Sequence, residues 1–283
     1  MLKRPLTVFA LGVALAAAWW GYRQHQDDFA LKARLAMTVA PRSSDFVDCA
    51  SFTDQKPLVL LALGQSNAGN HGSLSASADA PVLMMIGTHC LVANDPLPGA
   101  TGSGGSIWRH LPTMLGNELA GRKVVLSVLA VDATSMNDWI RPGSAIGKRL
   151  ADQIVALRRQ GLSPDFLLWQ HGEADARNGT SASHYLDGLE KLALLSEKAG
   201  TPAPLLLAHS TVCRSDPSKT IRAAIDSATK MNIRFVAGPD TDLLLGDTYR
   251  HDGCHLNSAG QRAAARDWAA ALKPHIVMSN AAR

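Results

Sequence analysis

Five nearly unbroken apolar runs punctuate the chain, at Leu58–Leu63, Val124–Val131, Phe166–Trp169, Leu205–Ala208 and Ile233–Ala237. They are short and rich in Val, Leu and Ile, which predicts strands buried on both faces. The stretches between them change to a helical period. Ile146, Leu150, Ile154 and Leu157 share one helix face with Gly161 as a stop, and Tyr185, Leu189 and Leu192 share another with Gly200 closing it. Ile221, Ala224 and Ile225 mark a further helix. Asn257 or Ser258 can cap a last one that runs through Ala271 and ends at Pro274. Alternating strands and helices predict an α/β fold, a parallel sheet with helices on both sides, built as one domain over residues 57–275 with a tail at 276–283. Ligands of such sheets bind beyond the carboxyl ends of the strands. The informative residues are therefore 64–72, 130–139, 170–175, 209–213 and 238–242, with the loop 251–257 before the last helix.

The amino-terminal end follows another pattern. Lys3 and Arg4 precede an uncharged stretch, residues 5–22, that ends in Trp19, Trp20 and Tyr22. This predicts an anchor in inner-membrane lipid with everything after it outside the cytoplasm; Ala16–Ala18 offers a cleavage site as the alternative. Residues 23–56 read as a polar stalk and lead-in, with a short helix over 27–37. In a periplasmic or otherwise extracytoplasmic setting, four cysteines predict two disulfides, for which three pairings exist. Their positions favour Cys49–Cys90 and Cys213–Cys254. The net charge of +4 is dispersed and no basic stripe with interleaved aromatics occurs, so nucleic acid is not an expected partner.

Four segments carry chemistry. In Gly64-Gln65-Ser66-Asn67, a serine sits on a strand-to-helix turn, where its hydroxyl is exposed and its amide can donate to an oxyanion. A serine in such a turn is also a common turn former. Gly99–Leu111 is glycine-rich and opens a helix; it lacks the Gly-Lys-Ser/Thr ending of a phosphate loop and suits a second oxyanion donor or a flexible loop. In Leu167–Asp175, Gln170 or His171 can donate to the same oxyanion, while Glu173 and Asp175 read either as glycosidase carboxylates or as braces between loops. In Arg250–Gln261, Asp252 and His255 supply a base and its orienting carboxylate from one segment. His251, Asp252, Cys254 and His255 are also metal-ligand types. No second cluster with zinc spacing accompanies them, so no metal and no cofactor is expected.

Together and in this order, Gly64-Gln65-Ser66-Asn67, the Gly102–Gly105 loop, Trp169 to Glu173 and Asp252-Gly253-Cys254-His255 resemble the SGNH hydrolases. They look most like the sialate O-acetylesterase-type carbohydrate esterases. The resemblance implies a three-layer α/β/α, flavodoxin-like fold and a metal-free mechanism. Ser66 would be the nucleophile, His255 the base and Asp252 its partner, with the amides of Ser66 and of Gly102 or Gly104 as oxyanion donors. One departure stands out. The family's glutamine before Gly-Glu is here His171, with Gln170 one place earlier. Trp108 and Trp139 are candidates for stacking on a sugar or for core packing. The implied activity is removal of O-acetyl groups from an extracytoplasmic carbohydrate. An O-acyltransferase using the same residues is the alternative, and a non-catalytic glycan-binding domain a third reading.

Overall fold

The computed structural model describes residues 19, 22, 26–53, 56–73, 80–119 and 121–281. Among these, eight strands form one sheet: β1 (Phe46–Val47), β2 (Leu58–Gly64), β3 (Val82–Ile86), β4 (His89–Ala93), β5 (Val124–Ala130), β6 (Phe166–Gln170), β7 (Leu205–His209) and β8 (Phe235–Asp240). Their order is β1-β4-β3-β5-β2-β6-β7-β8. All pairs from β3 to β8 are parallel; β4 pairs antiparallel with β3 and with β1. The run β5-β2-β6-β7-β8 is the flavodoxin-like order, and the chain changes direction across the sheet at β2.

Side-chain alternation divides each strand between two cores. On one face Leu58, Leu60 and Ala62 of β2 and Phe166 and Leu168 of β6 pack under α1 (Leu111–Leu115) and the last helix, whose Ala264, Trp268, Leu272 and Ile276 are buried. On the other, Leu61, Leu63, Leu167 and Trp169 pack under α3 (Ala145–Arg159), α5 (Ala182–Lys198) and α6 (Lys219–Met231). Between β5 and α3 lies the short α2 (Met136–Ile140), and after β6 comes α4 (Glu173–Asn178). The side chains of Ser144, Ser181 and Ser218 cap α3, α5 and α6 by accepting from the amides of Gly147, His184 and Ile221, each cap contributing about 1 kcal/mol. The result is the three-layer α/β/α arrangement, with both expected disulfides formed, Cys49–Cys90 and Cys213–Cys254.

Several expectations need revision. The Val82–Ala93 hairpin extends the sheet, and its antiparallel β4 breaks the all-parallel pattern. The last strand begins at Phe235 rather than Ile233, which is 97% exposed. The last helix, α7 (Ser258–Ala281), passes through Pro274 instead of stopping there. Proline removes one amide donor, but the carbonyl it leaves free is that of Ala270 on an exposed turn, while Leu272 and Ile276 are fully buried on either side. Asn257 is the cap, its Oδ1 accepting from the amides of Ala259 and Gly260. The short helix expected over 27–37 forms at residues 26–36, but it is part of the folded unit and not of a stalk, packed on the second core through Leu31 and Leu35. The expected anchor lies outside the described residues apart from Trp19 and Tyr22. Among the described residues no helix is long and apolar enough to cross a membrane.

Candidate active site

Strand β2 ends in Gly64 at φ +152°, directly beside the end of β6. A Cβ there would run into the Gln170 carbonyl and Ala68, so only glycine permits the sharp turn that follows. That turn carries the buried Gln65, Ser66 and Asn67, of which Gln65 and Ser66 border a pocket of about 210 Å³. Gln65 and Ser66 line the pocket together with His71, Asp132, Arg177, Arg214 and His255.

The glycine-rich loop is laced to the nucleophile turn by backbone pairing. Asn70 donates to Thr101, Gly104 donates to Asn70, and Gly72 and Gly105 exchange both bonds. Gly102, at φ +96°, packs so closely on Asn70 that a Cβ would collide with its carbonyl. The Gly104 amide is committed to the Asn70 carbonyl at 2.7 Å, so Gly104 is withdrawn as an oxyanion donor and Gly102 remains.

The Asp252–His255 segment is held from several sides. Asp252 Oδ1 accepts from the amides of Cys254 (2.9 Å) and His255 (2.7 Å), and its Oδ2 lies 2.9 Å from His255 Nδ1. Partial burial pushes this carboxyl up, but the amide and ring of His255 and the Cys254 amide outweigh it and hold it well below the usual carboxylate range. The Cys213–Cys254 disulfide ties the loop to the end of β7, and Arg214 donates to both the Asp252 carboxylate and its carbonyl. Beneath, the buried Arg250 donates to the carbonyls of Leu244, Val212, Thr241 and Cys254. Asn67 links nucleophile turn and histidine loop: its Nδ2 donates to Cys254 O (3.1 Å) and its Oδ1 accepts from Leu256 N (3.4 Å), one bond on each side of His255. The His255 ring stacks near those of His71 and His251, with centroids 5.4 and 5.9 Å away. Ser66 and His255 thus line one pocket; no direct hydrogen bond joins them here, and such contacts commonly tighten only around substrate.

Neither candidate at the end of β6 reaches the pocket. Gln170 points to the α7 face with Phe166 and Leu168, where its Nε2 donates to Ser210 (2.7 Å) and Thr241 (2.8 Å) and its Oε1 accepts from Trp268 (3.0 Å). Both its amide hydrogens are spent. His171 turns to the other face and stacks on Trp169 with centroids 4.5 Å apart, edge-on to Trp139. It is fully buried, and burial lowers its pKa against the pull of Asp175. Strand alternation sends each into a different core. The tryptophans proposed for sugar stacking are also core residues: Trp108 donates to Ala68 O and packs on Trp268, while Trp139 donates to Thr134 and meets Trp169 edge-on.

Glu173 and Asp175 act as braces. Glu173 Oε1 accepts from Asn67 (2.8 Å) and Ser210 (2.8 Å); the Asp175 oxygens accept from the Met136 amide and the Thr180 hydroxyl. Of the metal-ligand types in the histidine loop, Cys254 is committed to a disulfide, while His251, Asp252 and His255 keep ligand atoms within 4.8 Å of one another. Sequence reasoning passed over Gln65, as it did His71, Asp132, Arg177 and Arg214 of the same lining. Gln65 Oε1 accepts from the Ala174 amide (3.3 Å) while the residue borders the pocket beside Ser66. Its place next to the serine was the available signal.

Comparison with solved structures agrees with this architecture. A protein of Arabidopsis thaliana matches 78% of this chain and 98% of its own at 17% identity, with a TM-score of 0.60. A carbohydrate acetylesterase from Xanthomonas citri matches 78% and 56% at 12% identity and TM-score 0.52. A family 3 carbohydrate esterase from Clostridium thermocellum matches 79% and 99% at 12% identity and TM-score 0.51. At such identities these likenesses speak for the fold. No curated protein matches the chain significantly in sequence. The family profile described as carbohydrate esterase, sialic acid-specific acetylesterase, matches residues 56–273, which hold every segment lining the Ser66 pocket, and the chain therefore belongs to that family of carboxylic ester hydrolases.

Proposed function

We propose that the protein is a serine esterase that removes O-acetyl groups from a carbohydrate outside the cytoplasm. The observation that carries the reading is that His255, bonded through Nδ1 to Asp252, lines the same pocket as Ser66. With Nδ1 bonded to Asp252, the His255 ring keeps Nε2 for the serine. Nε2 takes the proton from Ser66 Oγ as that oxygen attacks the acetyl carbonyl. The oxyanion is met by the amides of Ser66 and Gly102 and by the side-chain amide of Gln65, which takes the place that Gln170 and His171 leave empty. The tetrahedral intermediate collapses and expels the sugar oxygen, which receives the proton from His255. Water then attacks acetyl-Ser66, with His255 again as base, and acetate leaves.

The two disulfides support an oxidising compartment. The test is hydrolysis of an aryl acetate and of acetylated sugars by wild type, Ser66→Ala and His255→Ala. Either substitution should lower kcat by a factor on the order of 10⁴ or more. Unchanged hydrolysis by Ser66→Ala overturns the assignment. Appearance of acetylated acceptor when a glycan is added, at the expense of acetate, would make the enzyme an O-acyltransferase.

A further inference from the structure

The Ser66 pocket is not closed. Ala133 and Arg177, which line it, also line a larger neighbouring opening of about 740 Å³. The opening is walled on one side by the amino-terminal helix, through Asp27, Ala30 and Arg34, and on the other by α2 and the end of α4, through Ser135, Asn137 and Asn178. We infer that it is a subsite for further sugar units of an oligosaccharide, next to the acylated unit at Ser66. This rests on the esterase reading of that pocket.

Three observations carry it. The walls are rich in hydroxyl, amide and charged side chains, with Ala30, Ala133 and Pro142 as the apolar positions. Such a lining suits a chain of hydroxyls and not a long acyl tail, which needs an apolar wall. Next, the walls are fixed. Arg34 Nη1 donates to the carbonyls of Asp132 (3.2 Å) and Ala133 (2.7 Å), joining the helix to the lip of the pocket. Arg141 pairs with Asp28, and Leu31 is fully buried in the core. The facing wall is bolted by Asp175, whose carboxylate accepts from the first residue of α2 (2.8 Å). Asp138 accepts from the amide and hydroxyl of Ser135 and so completes the α2 cap.

The third observation is where the helix comes from. Asp27, Ala30 and Arg34 all precede residue 56, where the family match begins. This wall therefore comes from residues outside the family match, while the facing wall lies within it. Arg177, common to both linings, offers donors, and Asp132 in the Ser66 pocket offers acceptors, chemistry suited to sugar hydroxyls.

The test compares acetylated xylo-, chito- and sialo-oligosaccharides of one to three units with an aryl acetate, for wild type and for the double variant Asp27→Ala/Asn137→Ala. Both altered side chains lie in the larger opening and neither lines the Ser66 pocket. For the sugar hydrolysed best, wild-type kcat/KM should rise at least tenfold from monomer to trimer. In the double variant the rise should shrink below threefold, with the aryl acetate rate kept within twofold. Calorimetric titration of the unacetylated trimers into Ser66→Ala reads the subsite without catalysis and should show binding that the two substitutions weaken about tenfold. The inference is overturned by a flat chain-length dependence in wild type, or by a rise that survives the double substitution. Failure of the esterase reading shows differently: Ser66→Ala would then retain hydrolysis whatever the trimers do.

Discussion

Glu173 offers a sharp test of how the nucleophile turn is held. Its carboxyl is fully buried, with one oxygen accepting from Asn67 and Ser210 and the other without a partner. Burial raises its pKa from 4.5 to about 7, although hydrogen bonds from Asn67 and Ser210 and the charge of Arg250 pull the other way. The native state therefore holds this proton more tightly than the unfolded chain does. The resulting stabilisation is complete below the unfolded value of 4.5 and is lost as pH rises to about 7. A shift of that size corresponds to about 3 kcal/mol between the two limits. Glu173→Gln keeps the oxygen that Asn67 and Ser210 use and removes the titration. Urea unfolding at pH 5 and pH 9 gives the two values needed. At pH 5 the variant should lie within about 1 kcal/mol of wild type, since both side chains are then mostly neutral and each leaves one polar group unpaired. At pH 9 the variant should be the more stable by about 3 kcal/mol, because wild type then buries a charge. Taking the difference between variant and wild type removes the other groups that titrate in this window. A variant less stable by the same amount at both pH values would refute the reasoning; it would mean that Arg250 keeps Glu173 ionised throughout.

The other expectations concern the two loops. Both disulfides span 41 residues and should contribute similarly to stability, about 4 kcal/mol each by chain entropy. Removing Cys213–Cys254 should also cut kcat severalfold, because it frees the histidine loop, while removing Cys49–Cys90 should leave the aryl acetate rate unchanged; paired Cys→Ser variants assayed well below their melting points check this. Asp252→Asn should lower kcat by a factor on the order of 10³–10⁴. An amide nitrogen in place of Oδ2 cannot accept from Nδ1, so the ring is driven to the wrong tautomer, and unchanged kcat in steady-state assays would remove Asp252 from the mechanism. Asn67→Ala should cost about 10² in kcat with KM nearly unchanged, since it unties the turn from both sides of His255; a rise in KM alone would make Asn67 a substrate contact.

How far the chain was readable depended on how local each feature is. The strands β2, β5, β6 and β7 announced themselves because both faces of each are covered, so nearly every position is apolar. The Val82–Ala93 hairpin did not. Its first strand reads as a short apolar segment ahead of Cys90, and its membership in the sheet rests on pairing with β5, about forty residues later. Pro274 is deceptive for a related reason: one missing donor predicts a helix stop, while the burial of Leu272 and Ile276 decides the outcome. The amino-terminal helix was legible as a helix, but its docking on the core was not, because only Leu31 and Leu35, set amid charged residues, make the contacts.

The candidate site divides along the same line. The Asp252–His255 contact closes within four residues of one loop, so their spacing was sufficient to foresee it. The oxyanion donors depend on the face to which a strand end turns, and that is set by layers of the molecule distant in sequence. Gln170 follows Leu168 to the α7 side because Trp268, Ser210 and Thr241 together saturate its amide there. His171 follows Trp169 to the other side, where an aromatic box receives an uncharged ring. Each position is explained by its core, so neither is left over for the crevice between them. The residue that does border the crevice is Gln65, set beside the nucleophile by the Gly64 turn. If the side-chain donor is carried by that turn, then serine and donor move together, and their geometry is indifferent to what stands at position 171. A histidine there is then compatible with an active esterase, whereas at position 65 even the loss of a single amide group should be felt in kcat.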